Sequence, residues 1–139
     1  MWLISYDYRH NILGQRTEIH REDGAYWSYA YDSMDQVTSG SKKLPSGEPL
    51  NGYQFAYAYD GIGNRISATA NGQTQQYTAN SLNQYTQRTV PGVIDVLGSA
   101  DPEAAVTVNQ SATERQGQYW YKQLAVDNST APAWQQVTV

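Results

Sequence analysis

The stretch Tyr53-Gln54-Phe55-Ala56-Tyr57-Ala58-Tyr59-Asp60-Gly61-Ile62-Gly63-Asn64-Arg65-Ile66 decides the fold. Its first half alternates aromatic with small or polar residues, and a period of two is the signature of a strand. Its second half puts an Asp at the strand end, where a carboxylate can accept backbone N–H bonds in an Asx turn. A glycine follows that tolerates the left-handed conformation, and then comes an aliphatic residue to open a return strand. Working outward, Trp27-Ser28-Tyr29-Ala30-Tyr31-Asp32 repeats the alternation. Tyr6-Asp7-Tyr8-Arg9-His10-Asn11-Ile12 echoes it upstream, and Tyr77-Thr78-Ala79-Asn80-Ser81-Leu82-Asn83-Gln84-Tyr85 echoes it downstream.

With Asp7, Asp32, Asp60 and Asn80 aligned, the repeat runs at intervals of 25, 28 and 20 residues. That irregularity predicts stacked hairpins with loops of variable length. Asn11 and Gly63 are the residues expected to take left-handed conformations, and Ile12, Val37 and Ile66 those expected to begin the return strands. Second reversals are expected at Glu22-Asp23-Gly24, Pro45-Ser46-Gly47 and Asn71-Gly72. The alternation gives each strand one aromatic face, which is expected to be the packed one.

The composition agrees. Twelve Tyr and four Trp stand against one Phe in 139 residues, and flat aromatic side chains suit a pleated surface. Asp101-Pro102-Glu103-Ala104-Ala105 has room for a single helical turn only. From Val93 the pattern changes to short alternating strands, Val93–Ala100, Ala105–Asn109 and Gly117–Val126, which predicts an Ig-like β-sandwich segment shorter than a complete sandwich. The expected organisation is therefore all-β: repeats over 1–90, a linker at 91–92, and the sandwich segment over 93–139.

The motif Tyr-x-Tyr-Asp-x-x-Gly/Asp-Asn/Gln, carried by Tyr29, Tyr31 and Asp32 and by Tyr57, Tyr59, Asp60, Gly63 and Asn64, resembles the YD repeat of the Rhs family, which includes the shells of teneurins. Tyr6, Asp7 and Asn11, and Tyr77 and Asn80, carry weaker copies. The resemblance covers residues 1 to about 90. It implies an arc of a spiralling β-sheet shell, and partners in the remainder of an Rhs parent chain and the C-terminal domain, often a toxin, that it encloses. It also implies secretion or display at a cell surface, although the chain shows no signal peptide.

Chemistry is sparse. The chain has no cysteine, its net charge is −4, and its Lys and Arg residues are scattered, so neither thiolate metal sites nor a phosphate-binding stripe is expected. No nucleic acid, membrane insertion or cofactor is expected. His10 lacks a converging partner, and His20, beside Glu18, Arg21, Glu22 and Asp23, reads as an exposed turn. Asp7, Asp32, Asp35 and Asp60 could be paired as glycosidase carboxylates, but recurrence at strand ends makes them turn residues, and the chain is expected to be no enzyme. The alternative to a structural role is binding of glycan or a surface protein by exposed rings, with Trp27, Trp120 and Trp134 as stacking candidates. Open strand edges invite self-association.

Overall fold

The computed structural model describes residues 4–139; the strand-like start read at Met1-Trp2-Leu3 lies outside them. The described residues form thirteen strands and no helix. The chain divides into two compact units, one ending at Thr89 and the other spanning Val90–Val139.

The first unit is one antiparallel meander in sequence order: β1 (Tyr6–His10), β2 (Arg16–Arg21), β3 (Tyr26–Tyr31), β4 (Val37–Lys43), β5 (Pro49–Tyr59), β6 (Arg65–Ala70), β7 (Gln73–Ala79) and β8 (Tyr85–Arg88). Four of its reversals are built alike. The side-chain oxygen of an Asx residue accepts the N–H groups two and four residues on: Leu13 and Gln15 bond Asn11 at 3.0 and 3.0 Å, and Met34 and Gln36 bond Asp32 at 2.8 and 2.9 Å. Likewise Ile62 and Asn64 bond Asp60 at 3.0 and 2.8 Å, and Leu82 and Gln84 bond Asn80 at 3.0 and 3.0 Å. The third residue after each Asx is left-handed: Gly14, Asp35, Gly63 and Asn83 have φ of 79°, 62°, 92° and 60°.

This geometry corrects the repeat register. Asp7 lies inside β1 opposite His20, and Asn11 performs the work that Asp32, Asp60 and Asn80 do in later repeats. Asn11 itself is not left-handed; Gly14 is. Ile12 does not open a return strand: it sits in the turn, fully exposed, and β2 begins at Arg16. Each turn lifts an aliphatic residue, Leu13, Met34, Ile62 or Leu82, into solvent.

The opposite end of the sheet reverses where expected. Gly24 and Gly47 donate back to the carbonyls of Arg21 and Leu44, and Asn71 and Gly72, both left-handed, form the two-residue turn between β6 and β7. Ala25 and Leu50, at 1% and 0% exposure, are buried near this end.

No second layer covers either face of the meander among the described residues of this unit. The aromatic face packs within itself: its rings lean on one another. Phe55 lies 5.2 Å from Tyr57 and 6.0 Å from Trp27, centroid to centroid. Its ring occupies the space above Gly40, directly opposite it in the register, where an added Cβ would lie 2.3 Å from the ring.

The second unit pairs β9 (Val93–Ser99) with β13 (Tyr119–Ala125) over seven residues, and β13 with β12 (Glu114–Gln116). A separate ribbon joins β10 (Thr107–Val108) to β11 (Ser111–Ala112) through the left-handed pair Asn109-Gln110. These five strands form a three-stranded sheet and a two-stranded hairpin, smaller than the seven-stranded arrangement of an Ig-like sandwich. Asp101–Ala104 form a turn whose carbonyls, those of Asp101 and Ala104, accept from the Arg115 guanidinium at 2.9 and 2.9 Å.

Two outcomes follow. Asp60→Asn keeps one accepting oxygen but loses the one that takes the Asn64 side-chain amide at 2.9 Å, so it should lower the urea midpoint at neutral pH slightly, and Asp60→Ala, which loses both, by more. Hydrogen bonds from the Asn64 side chain and backbone hold the Asp60 carboxyl below its ordinary value, so its stabilisation is present above the unfolded carboxyl range and lost as pH falls through the folded value. Asp60→Asn should therefore flatten acid destabilisation; an unaltered acid profile would refute that assignment. Gly40→Ala should destabilise by about 1–3 kcal/mol, since the packed ring beneath cannot move without displacing its neighbours, and Phe55→Leu should relieve part of that loss in the double variant.

Candidate functional site

The aromatic face of the first unit gathers the chain's distinctive chemistry. Residues opposite each other in an antiparallel ladder share a face, so Ile19, Trp27 and Lys42 form one row and Tyr29, Gly40 and Phe55 the next. Trp27 and Tyr29 stack along β3 with centroids 6.1 Å apart and planes 10° from parallel, and Tyr6 and Tyr8 do the same along β1 at 6.3 Å and 18°. Cations lie over rings of the same cluster: the Arg16 guanidinium lies 4.5 Å from the Tyr8 centroid, and that of Arg65 4.4 Å from Tyr57. Cation–π contacts of this kind are worth about 0.5–1 kcal/mol at exposed sites and more when water is excluded. An open hollow of about 450 Å³ is lined by Arg16, Tyr29, Tyr31, Val37, Phe55 and Tyr57.

The tyrosine before the turn Asx has a defined task. Tyr31 donates its hydroxyl to the carbonyl of Arg16 at 2.7 Å, and Tyr59 to that of Val37 at 3.0 Å, in each case the fifth residue after the preceding repeat's Asx. The dipeptide thus joins one repeat to the one before it, the Asp closing its own turn and the Tyr gripping its neighbour. The fourth repeat has Ala79 in place of this tyrosine. Tyr85, directly across the ladder from Ala79, takes over, its phenol oxygen accepting the Arg65 N–H at 2.8 Å. His10 occupies the same position in the first repeat. Neighbouring turns are also tied: Gln15 donates to Asp35 at 2.7 Å, and Asn64 to Asn83 at 3.2 Å.

Burial raises the pKa of the Tyr29 and Tyr53 phenols and lowers that of Lys42, which is 4% exposed, with Asp23 opposing that shift. On the opposite face, Glu18 receives His20 at 2.7 Å and Arg9 at 2.9 Å; the His20 hydrogen bond leads the effects that hold its carboxyl low. His20 is therefore no turn residue: it lies half-buried in β2, stacked 4.7 Å from Tyr26.

The ring candidates part company. Trp27 is half-buried in the ladder. Trp120 is 8% exposed, its indole lying against Gly98, so it presents no face to a sugar. Tyr119 and Tyr121 point to the other side of β13 and are buried too. Burial, then the hydrogen bond to Asp95 at 2.8 Å, raises the Tyr121 phenol far above its ordinary pKa. Trp134 stands in solvent at 95% exposure. No group of three or more His, Cys, Asp or Glu residues suited to holding a metal ion occurs among the described residues. The cross-repeat tyrosine bonds escaped sequence reasoning; the tyrosine one residue before the turn Asp at Tyr31-Asp32 and Tyr59-Asp60 was the available signal.

No protein-family model matches the chain, and no curated protein sequence matches it. Solved structures do. A crystal structure of TcdB2-TccC3-Cdc42 aligns with a TM-score of 0.57 at 14% identity, over 91% of this chain and 7% of that chain. A crystal structure of TcdB2-TccC3-TEV aligns with a TM-score of 0.50 at 16% identity, over 87% and 6%. The Tc holotoxin pore of Photorhabdus luminescens, bearing a mutation in TccC3, gives 0.51 at 17% identity, over 87% and 6%. Because the first unit ends at Thr89, a match over 91% of the 139 residues extends into the second. The chain spans less than a tenth of the length of these structures, and at such identities the likeness is one of fold: an all-β, antiparallel sheet shared with a small part of those Tc toxin chains.

Proposed function

We propose that this chain is a non-catalytic segment of a β-shell wall of the Rhs/YD-repeat type, in a secreted or surface-displayed protein whose sheet encloses or presents another domain, often a toxin. The observation that carries this reading is a meander with no second layer of its own among the described residues: eight strands in one sheet, edge strands β1 and β8 exposed along their whole length, and an aliphatic residue in solvent at each Asx turn. A free-standing domain buries one face of its sheet against a second layer. A wall segment instead continues edge to edge into further strands. The likeness to small parts of long Tc toxin chains supports the same reading. So does the consumption of the turn carboxylates: the Oδ1 oxygens of Asp32 and Asp60 each accept two backbone N–H groups, which suits turn chemistry better than catalysis. No helix of the described residues is long and apolar enough to cross a membrane.

A second reading, attachment to a glycan or surface protein, draws on the solvent-exposed indole of Trp134. Affinity-gel retardation on polysaccharides separates the two: a wall segment shows no sugar dependence, and Trp134→Ala abolishes retardation if the second reading holds.

The wall reading predicts that the chain associates through its edges. Sedimentation velocity should show concentration-dependent association that Asp7→Pro in β1 and Thr86→Pro in β8 suppress, because proline removes a ladder donor and is incompatible with a paired strand. A monodisperse monomer throughout the accessible concentration range counts against it.

A further inference from the structure

Strand alternation sorts the charges of the first unit. Tyr6 lies opposite Arg21, Trp27 opposite Lys42, Tyr59 opposite Arg65 and Tyr77 opposite Arg88, and Arg16 lies over Tyr8. All these cations share the aromatic face. The two acids within these strands, Asp7 and Glu18, pair with His20 and with Arg9 on the other face. A chain of net charge −4 therefore presents one face that is aromatic and cationic, with acids only in the flanking turns, where Asp23 faces Lys42.

The rings on this face are poorly placed to stack on a sugar or a base, which needs a free ring face. Ring neighbours along the strands are 6.1 and 6.3 Å apart, less than the roughly 7 Å that two van der Waals contacts require for an inserted ring. Arg16, Arg65 and Lys42 cover the rings of Tyr8, Tyr57 and Tyr53. Ring edges and guanidinium N–H groups remain open. A guanidinium stacked on a ring keeps its in-plane donors, which match a carboxylate bidentately. Arg16, Arg21 and Arg88 are exposed and meet no carboxylate among the described residues.

We propose that this face binds an acidic polypeptide segment that also carries aliphatic residues. Its carboxylates bond the guanidinium groups of Arg16, Arg21 and Arg88, and an aliphatic side chain fills the hollow over Phe55. The complementarity is of charge and of shape together: exposed guanidinium groups that meet no carboxylate among the described residues, and ring edges without free ring faces. The proposal holds whether or not the sheet belongs to a shell.

The test is fluorescence anisotropy of a labelled peptide of repeated Glu-Leu-Glu-Gly units against the whole chain, with the Lys-for-Glu peptide, heparin and oligo-dT as competitors. The Glu peptide should bind, more weakly as salt rises, and the variant R16Q/R21Q/R88Q should lose about tenfold or more in affinity, while Lys43→Gln, on the other face, binds as the native chain does. Arg88→Gln alone, in an exposed edge strand, gives a smaller loss in the same direction and keeps the test decisive should the triple variant fail to fold by circular dichroism. The proposal is overturned if the peptide does not bind at low salt, if the arginine variants bind unchanged, or if heparin or oligo-dT binds as tightly. Edge association measured by sedimentation is independent of these arginines, so the failure of one reading is distinguishable from the failure of the other.

Discussion

A single side-chain oxygen at each turn holds the architecture in place. By accepting two N–H groups, Oδ1 of Asn11, Asp32, Asp60 or Asn80 fixes the loop between an odd strand and the even strand that follows. The register shifts at the same point in every repeat, at His10, Tyr31, Tyr59 and Ala79. Slippage by one residue would move every ring to the opposite face. The turns therefore decide which residues meet across the strands, and with them the ladder, the Tyr31 and Tyr59 bonds and the sorting of charge.

With the register fixed, stability in the first unit comes from lateral contact. Few side chains are fully buried, and the rings instead cover one another's faces or lie under cations. Gly40 is the point where this packing is tightest, because the absence of a side chain opposite Phe55 lets the ring settle on the backbone. The second unit uses the same device, with Trp120 over Gly98, but buries both faces of β13 and adds polar bonds, Tyr121 with Asp95 and Arg115 with turn carbonyls. One unit is an extended sheet surface, the other a small sheet with a covered central strand.

Much of this was legible in the residues. Period-two alternation placed β3 and the aromatic part of β5, and the Gly-bearing reversals at 22–24, 45–47 and 71–72 fell where expected. The register of the first repeat was misread because Tyr6-Asp7 imitates Tyr31-Asp32 as a dipeptide. The physically relevant pattern is an Asx three residues before a left-handed position and four before an amide: Asn11-x-x-Gly14-Gln15 satisfies it and Asp7 does not. Trp120 looked available because a strand pattern assigns a side chain to a face without saying whether that face is covered.

The sequence by itself determined the strands, the turn chemistry and the all-β class, because these depend on residues a few positions apart. Only the tertiary structure decided what long-range pairing controls. The cations look scattered along the chain, yet Arg16, Arg21, Lys42, Arg65 and Arg88 come together because alternate residues of successive antiparallel strands project to one side. The same pairing brings Tyr85 to the place that Ala79 leaves empty, and puts rings and guanidinium groups face to face. Such contacts join residues 8 to 22 positions apart, and no local pattern encodes them until the register is set.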